Sequence, residues 1–187
     1  VSLRHGTTIG TNALLERKGA SVAFVTTAGF EDTIAIGRQA RQDLYNWLAT
    51  PKPCLVPPQL RFGVNERVSA EGETLLVPPG GELEELREKI RSSGAESIAI
   101  SLLFSFANPE NEKSVASCLR ALDLPITVSC EVLPEFREYE RASTVVVNAY
   151  LAPKAGGYIS RLQSALTSDD NSSLFVMQSS GGIISGK

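Results

Sequence analysis

The chain has 187 residues, of which 42% are apolar and 21% charged, and its formal net charge is −3. These proportions are ordinary for a globular protein, and a chain of this length can bury a substantial core. The mixed charges give no basic surface to favour nucleic acid, and no apolar run is long enough to cross a membrane. We therefore expect a cytoplasmic protein that binds neither nucleic acid nor membrane.

The cysteines and the single histidine are far apart in sequence. Three cysteines are too few and too scattered for a disulfide framework. No two of these residues have the close spacing that is typical of zinc ligands. We predict no metal site and expect the cysteines to be small buried residues. The four residues are His5, Cys54, Cys118 and Cys130.

The opening segment, residues 4–19, is rich in glycine and threonine and then runs into strong helix formers. Thr8 or Thr11 could cap the helix, and Gly19 would end it in the C′ position. Free amides and the positive end of a helix dipole suit an anion. The alternative is a well-capped short helix that binds nothing.

A strand is predicted next at 21–27, because the residues are β-branched and apolar, and a short helix at 30–37. Arg38 and Arg41 follow the glycine at the end of that helix. They could clamp a carboxylate or phosphate, although the residues alone favour a solvated surface. A proline-rich connector and a hairpin insertion at about 59–80 come after them.

Alternating helices and strands predict an α/β fold. The apolar positions Leu83, Leu86 and Ile90 indicate a helix that ends near Gly94. A strand at 97–104, a helix that starts at Asn108 and Pro109 with Val115, Leu119 and Leu122 buried, and a strand at 125–132 follow. This order implies a parallel sheet with helical crossovers. We predict one α/β domain over residues 1–187.

The C-terminal part is predicted to be helical from about 134 to 166, with a kink or a fresh start at Pro153. Glu138 and Arg141 have helical spacing and could form a modest surface ion pair. A strand is predicted at 174–178. Residues 181–187 match the first part of a phosphate-binding P-loop, but the isoleucines inside that loop argue against the match.

Several segments along the chain form a recognisable set of motifs. The most specific segment is Pro-Glu-Phe-Arg-Glu-Tyr-Glu-Arg-Ala-Ser-Thr at 134–144. The other segments are His-Gly-Thr-Thr at 5–8, Asn-Ala-Leu-Leu-Glu-Arg at 12–17, Thr-Thr-Ala-Gly-Phe at 26–30, Ile-Gly-Arg-Gln at 36–39, residues 102–109, Asn-Ala-Tyr-Leu at 148–151, and Met-Gln-Ser-Ser-Gly-Gly at 177–182. Together they resemble the N-terminal region of the hydantoinase A/5-oxoprolinase family. This family includes ATP-dependent N-methylhydantoinases, oxoprolinases and acetone-carboxylase-type subunits.

The resemblance implies a partial lobe of a ribonuclease-H-like, actin-like ATPase with a mixed sheet and helical crossovers. It implies ATP and Mg²⁺ as cofactors and a cyclic amide, such as a hydantoin or 5-oxoproline, as substrate. It also implies a second, B-type hydantoinase subunit or fused domain as partner, and it allows a homo-oligomer. The family's main phosphate loops are expected outside this chain, which would then be inactive alone. The alternatives are a subunit of an acetone-carboxylase-type enzyme and a non-catalytic domain that docks a partner.

The resemblance also suggests which residues contact ATP or substrate, although it assigns no nucleophile or general base. The first group lies at the opening helix, the second follows the glycine at 37, and the third lies further along the chain. In that order they are His5, Thr7, Thr8 and Asn12; Arg38 and Gln39; and Arg141, Ser179 and Gly181.

Overall fold

A computed structural model describes residues 2–39, 45, 48, 53–166, 173–177 and 181–185. The strands are β1 (Ser2–His5), β2 (Val22–Thr27), β3 (Arg61–Val64), β4 (Arg67–Val68), β5 (Thr74–Leu76), β6 (Ser97–Ser101), β7 (Ile126–Val128), β8 (Ser173–Met177) and β9 (Ile183–Ser185). The α-helices are α1 (Ile9–Leu15), α2 (Thr33–Ile36), α3 (Gly80–Ser92), α4 (Glu110–Leu119), α5 (Ser129–Val132) and α6 (Glu138–Leu166). Short 3₁₀ helices cover Pro58–Leu60 and Arg120–Leu122.

The chain divides into two compact units. Unit 1 comprises Val1–Gly19 and Leu151–Lys187, and unit 2 comprises Ala20–Tyr150. Each unit has its own sheet. The prediction of one domain over the whole chain stays a prediction.

Unit 2 is built on a four-stranded parallel sheet in the order β3-β2-β6-β7. Every residue of β2 and β6 is buried, as expected for parallel strands that are covered on both faces. The predicted helix faces pack here, since Leu83, Leu86 and Ile90 of α3 join Val115 and Leu119 of α4 in one core. The α/β class with a parallel sheet is confirmed.

The predicted hairpin is shorter than the pattern suggested. Within this segment the antiparallel pair is β4 with β5, and Gly72 turns the chain between them with a φ of +85°. The residues before them, Arg61–Val64, belong instead to the parallel sheet as β3. The side chain of Asn108 holds the turn through a 2.9 Å hydrogen bond from its Nδ2 to the Gly72 carbonyl oxygen.

Two predicted strands are too long. The strand predicted at 97–104 ends at Ser101, and Phe104 has a φ of +55°, which no strand residue adopts. The strand predicted at 125–132 ends at Val128, because Ser129–Val132 forms the helical turn α5. In both cases apolar residues continue past the strand because the segments that follow are also partly buried.

Helix α6 continues through Pro153, where a kink or a fresh start was predicted. Proline has no N–H, so a helical proline leaves the carbonyl four residues earlier without its partner. That carbonyl belongs to Ala149, and it accepts a hydrogen bond from Ser97 Oγ at 2.8 Å. The next carbonyl, of Tyr150, accepts from the Ala20 amide at 2.9 Å. These two donors from outside the helix form hydrogen bonds with carbonyl groups of the turn that precedes the proline.

Unit 1 contains a small mixed sheet in the order β1-β8-β9. Strand β1 pairs parallel with β8 from Ser2–Ser173 to His5–Val176, and β9 pairs antiparallel with β8. Helix α1 ends earlier than predicted. Arg17 takes the left-handed cap conformation with a φ of +55°, and the Lys18 amide donates to the Ala13 carbonyl at 2.9 Å, so Gly19 is not the C′ residue. Strand β9 occupies residues 183–185, where a P-loop would need an open loop.

Candidate functional site

Polar side chains at the carboxyl end of the parallel sheet form a buried hydrogen-bonded group in unit 2. Thr27, the last residue of β2, donates from Oγ1 to Glu66 and accepts from the Leu103 amide at 3.0 Å. Asn111 Nδ2 donates to the other Glu66 oxygen at 2.8 Å. Open α/β sheets often bind ligands at this end. Here the buried groups bond to one another, so they hold the loops together.

Glu112 likewise holds loops together, here those that follow the neighbouring strands β6 and β7. It is fully buried, and its carboxyl oxygens accept from the Leu102 amide at 2.9 Å, from Ser129 Oγ at 2.7 Å and from the Cys130 amide at 2.8 Å. It therefore ties the segment after β6 to the segment after β7. Burial, and then the adjacent Glu112, raise the pKa of the Cys130 thiol to about 12.

Arg141 is enclosed in the same region, although it was predicted to contact a ligand. Its side chain is fully buried, and Nη2 donates to the Leu102 carbonyl at 2.6 Å and to Glu138. Nη1 donates to the Glu135 carbonyl at 3.2 Å. The guanidinium also lies 5.3 Å from the centre of the Phe106 ring. The predicted surface ion pair is therefore a buried structural contact.

Glu138 links this arginine to the loop after β6. One of its oxygens accepts from Arg141 and the other from the Phe104 amide at 3.3 Å. Burial raises the pKa of Glu138 above its ordinary value, although Arg141 and the Phe104 amide oppose the rise. Glu112 and Glu66 add a smaller rise because they bring further negative charge to the same region.

A surface cleft of about 310 Å³ lies beside α2 in unit 2. Its wall combines apolar side chains with one guanidinium, one phenol and one thiol. The lining residues are Ile34, Ala35, Ile36, Gly37, Arg38, Pro53, Cys54 and Tyr139. Such a wall can hold a small, largely apolar molecule and offer it hydrogen-bond donors.

Arg38 is held at this cleft by Glu140. Its Nε donates to Glu140 Oε1 at 2.6 Å, and this hydrogen bond lowers the pKa of Glu140. Gln39 follows with a left-handed φ of +57°. Gly37 shapes the wall, because a Cβ there would lie 3.3 Å from Tyr139 Cζ. Arg38 and Gln39 are thus adjacent at an open surface.

The predicted residues of the opening segment lie together in unit 1. His5 ends β1, and its Nε2 is 2.8 Å from the Tyr158 hydroxyl of α6. Thr8 occupies the predicted N-cap position of α1, but its side chain caps no helix amide; its Oγ1 accepts from Asn12 Nδ2 at 3.4 Å. The Ile9 amide donates instead to Thr7 Oγ1, one residue earlier, at 3.2 Å, and Thr11 lies inside α1. Thr7, Thr8 and Asn12 are exposed.

The remaining predicted residues lie near the end of the chain. Gly181 is exposed, has a φ of +89° and precedes β9. Ser179 lies outside the described residues. The structure therefore places four predicted residues in the opening segment of unit 1. It places Arg38 at the cleft of unit 2 with Gln39 next to it in sequence, and Arg141 in the buried interior of unit 2.

Sequence reasoning missed the buried acids Glu66 and Glu112 and the partner residue Tyr158. Glu112 had a usable signal, because it precedes Val115, Ala116 and Leu119 at helical spacing and so lies on the buried face of α4. Tyr158 has helical spacing to Leu162, which indicates an apolar helix face, and nothing in that spacing points to His5. Glu66 lies in a short turn without a periodic pattern.

The described residues contain no group of three or more histidine, cysteine, aspartate or glutamate side chains placed to hold a metal ion. In the same part of the chain, no helix has both the length and the apolar character needed to cross a membrane.

The chain is an α/β protein in which the buried polar residues at the strand ends of unit 2 hydrogen-bond inside the protein. Two groups of predicted residues are accessible, one in the opening segment of unit 1 and one at the cleft of unit 2. The family model described as the hydantoinase/oxoprolinase N-terminal region matches residues 1–122, and the hydantoinase/oxoprolinase model matches residues 141–187. The chain belongs to the hydantoinase/oxoprolinase family.

Two characterised relatives are similar over most of the chain. The caprolactamase subunit alpha of Pseudomonas jessenii is 35% identical over 86% of this chain and 24% of its own length. The 5-oxoprolinase of Saccharomyces cerevisiae is 32% identical over 99% of this chain and 16% of its own length.

Two solved structures share the fold. The ATP-dependent caprolactamase from Pseudomonas jessenii superposes with a TM-score of 0.86 and 33% identity, over 97% of this chain and 27% of that one. Acetone carboxylase, in its nucleotide-free structure, gives a TM-score of 0.85 and 26% identity, over 98% of this chain and 28% of that one. The chain thus spans between 16% and 28% of the length of these relatives.

Proposed function

We propose that this chain forms part of an ATP-dependent enzyme that opens the ring of a cyclic amide. The observation that carries the proposal is the match over 97% of the chain to an ATP-dependent caprolactamase, at a TM-score of 0.86 and 33% identity. The similarity to a 5-oxoprolinase supports the same substrate class. The wider fold is proposed to be a lobe of a ribonuclease-H-like, actin-like ATPase, with residues 1–187 as one α/β domain that carries the hairpin.

The chemistry explains why ATP is used. An amide carbon is a poor electrophile, and phosphorylation of its oxygen makes that carbon more electrophilic. Thr7, Thr8 and Asn12 offer exposed hydroxyl and amide donors that fit phosphate oxygens. We assign them, with Ser179 and Gly181, to nucleotide or substrate contact. The described residues include no cluster of acidic side chains placed to hold Mg²⁺. We therefore assign the ion to the phosphates of the nucleotide.

The cleft beside α2 is the proposed place for the ring. The apolar side chains of its wall suit the methylene groups of a lactam, and Arg38 can donate to the carbonyl oxygen. Glu140 fixes one edge of the guanidinium, which reduces the entropy lost when a ligand binds. Gln39 is assigned to the rim. Arg141 is assigned to holding the loop after β6, because its Nη1 and Nη2 donate inside the protein.

The test is a thermal shift of the chain with caprolactam, with 5-oxoproline and with magnesium-ATP, each added separately. A ligand at 100 times its dissociation constant adds about 2.7 kcal/mol to the free energy of unfolding. We expect a ring amide to raise the melting temperature of the parent chain, and Arg38→Ala to abolish that rise. Arg91→Ala is the matched control, because Arg91 is also an exposed arginine paired with a glutamate. Equal stabilisation of the Arg38→Ala chain would contradict the assignment.

The second candidate is a subunit of an acetone-carboxylase-type enzyme, which the structural match to acetone carboxylase favours. Here the small carbonyl substrate is a ketone, and acetone or acetophenone replaces the lactam in the same test.

A third candidate is a non-catalytic docking domain, favoured by the exposed apolar residues Leu75, Leu76 and Val77 at the end of the hairpin. The partner would be a second, B-type subunit, a fused domain or another copy. Self-association without any ligand-induced shift would support this candidate.

A further inference from the structure

A histidine and a tyrosine from distant parts of the sequence meet in unit 1. His5 Nε2 and the Tyr158 hydroxyl oxygen are 2.8 Å apart, and the two ring centres are 5.6 Å apart. His5 lies at the end of β1, where its backbone pairs with Val176 of β8. Tyr158 lies on α6. Both side chains are half-buried, so a strand and a helix hold the two groups at hydrogen-bond distance.

The direction of this hydrogen bond follows from the chemistry of the two groups. A phenol O–H is a good donor, and an unprotonated imidazole nitrogen is a better acceptor than a phenol oxygen. The tautomer of a neutral histidine is set by the hydrogen bond that one ring nitrogen makes. If Tyr158 donates to Nε2, the proton of the ring must lie on Nδ1.

We propose that Tyr158 is a positioning residue that holds His5 as the neutral Nδ1–H tautomer. His5 then offers a hydrogen-bond donor to an oxygen of a ligand, such as a carbonyl or phosphate oxygen, and Nε2 is not available as a general base. The ligand part of this inference rests on the proposed function. The tautomer part does not, because it concerns only the two side chains.

His5 is the only histidine of the chain, so its ring nitrogens give a single, unambiguous pair of ¹⁵N resonances. The experiment is a long-range ¹H–¹⁵N spectrum of the ¹⁵N-labelled chain at about pH 8, where an ordinary imidazole is neutral. We expect an unprotonated Nε2 and a protonated Nδ1. A protonated Nε2 in the parent chain would overturn the proposal.

Tyr158→Phe removes only the hydroxyl group. We expect its His5 resonances to move towards a mixture of tautomers. Tyr139→Phe is the matched control, because Tyr139 is on the same helix but its ring lies against Gly37, and it should leave both nitrogens unchanged. An unchanged tautomer in Tyr158→Phe would show that the hydroxyl does not set it. The parent spectrum keeps the proposal testable even if this variant does not fold.

A binding arm tests the role of Nδ1–H. Asparagine places an amide donor near the position of Nδ1, whereas glutamine reaches towards that of Nε2. With magnesium-ATP and with 5-oxoproline as probes, His5→Asn should keep the affinity within about threefold. His5→Gln should lose about tenfold, the size of effect expected when one hydrogen bond to the ligand is lost. The reverse order would overturn the donor role. Absence of binding by the parent chain would count against the proposed function and leave the tautomer result intact.

Discussion

Unit 1 and unit 2 use their polar side chains in different ways. In unit 2, Glu66, Glu112 and Arg141 are buried and bond to neighbouring backbone and side chains. In unit 1, Thr7 and Thr8 are exposed and make short, local hydrogen bonds. A buried polar group that loses a partner is costly, whereas an exposed one can bond to water. Residues of the first kind support the fold, and those of the second kind are available to a ligand.

The largest expected effect is that of Arg141→Met. The change removes the donors to Leu102 and Glu138 and leaves Glu138 partly buried without its cation. Breaking a buried pair in this way costs about 3–5 kcal/mol. Urea unfolding followed by circular dichroism measures the loss.

Arg38→Met is the matched control, because Arg38 also pairs with a glutamate but is largely exposed. It should change the free energy of unfolding far less. Equal losses in the two variants would remove the distinction between a buried arginine of the fold and an arginine available to a ligand.

Gly37→Ala should have the next largest effect. Gly37 has a φ of +57° and a ψ of −140°, a combination that is essentially confined to glycine. The added Cβ would also lie 3.3 Å from Tyr139 Cζ in the cleft wall. We expect a loss of about 2–3 kcal/mol in urea unfolding.

Gly29→Ala is the control for Gly37→Ala. Gly29 has a φ of +88°, but a Cβ there would meet nothing within 4 Å. It should therefore cost less, about 1 kcal/mol, from backbone strain alone. A larger loss in Gly29→Ala would show that the contact with Tyr139 is unimportant.

Ser97→Ala tests the support of α6 at its proline. The change removes the donor to the Ala149 carbonyl, and an unsatisfied buried carbonyl costs about 1–3 kcal/mol. Pro153→Ala restores a helical N–H for that same carbonyl. The loss from Ser97→Ala should therefore shrink in the Pro153→Ala background. A double-mutant cycle in urea measures this coupling, and purely additive effects would refute it.

The sequence was sufficient for the class of fold and for most of the core. Helical spacing predicted the buried faces of α3 and α4, and apolar runs predicted β2 and β6, because these elements depend on local periodicity. Strand ends were less predictable. The chain leaves β6 and β7 where the amides of Leu102 and Cys130 bond to Glu112, and that contact depends on a residue in another element.

The candidate site was predictable only in part, for the same reason. Arg38 and His5 could be named from their segments, but the role of each depends on a partner more than 100 positions away, Glu140 and Tyr158 respectively. Arg141 resembled a ligand-binding residue in sequence. Its enclosure depends on Leu102 and Phe106, and no local pattern encodes it.

The pH dependence of unfolding should distinguish Glu138 from a surface acid. Burial raises the pKa of Glu138 above 4.5, so the native state binds its proton more tightly than the unfolded state does. The contribution of Glu138 to stability is therefore fully present below about pH 4.5 and is lost as the pH rises through the raised value. Glu138→Gln should remove this part of the slope, as measured by urea unfolding between about pH 4 and pH 7. Glu135→Gln, on the surface, is the control, and an identical slope in both variants would contradict the assignment.

The smallest effect is expected at the start of α1. Thr8 occupies the N-cap position, but the Ile9 amide donates to Thr7 Oγ1, and Thr8 Oγ1 accepts from the Asn12 side chain. Thr7→Ala should therefore destabilise the first turn by about 1 kcal/mol or less and speed hydrogen exchange of the Ile9 amide by up to about fivefold. Thr7→Ser should restore the protection, and Thr8→Ala should leave the Ile9 amide unchanged. Faster exchange in Thr8→Ala than in Thr7→Ala would mean that Thr8 caps the helix, and that Thr7 is the threonine left free for a ligand.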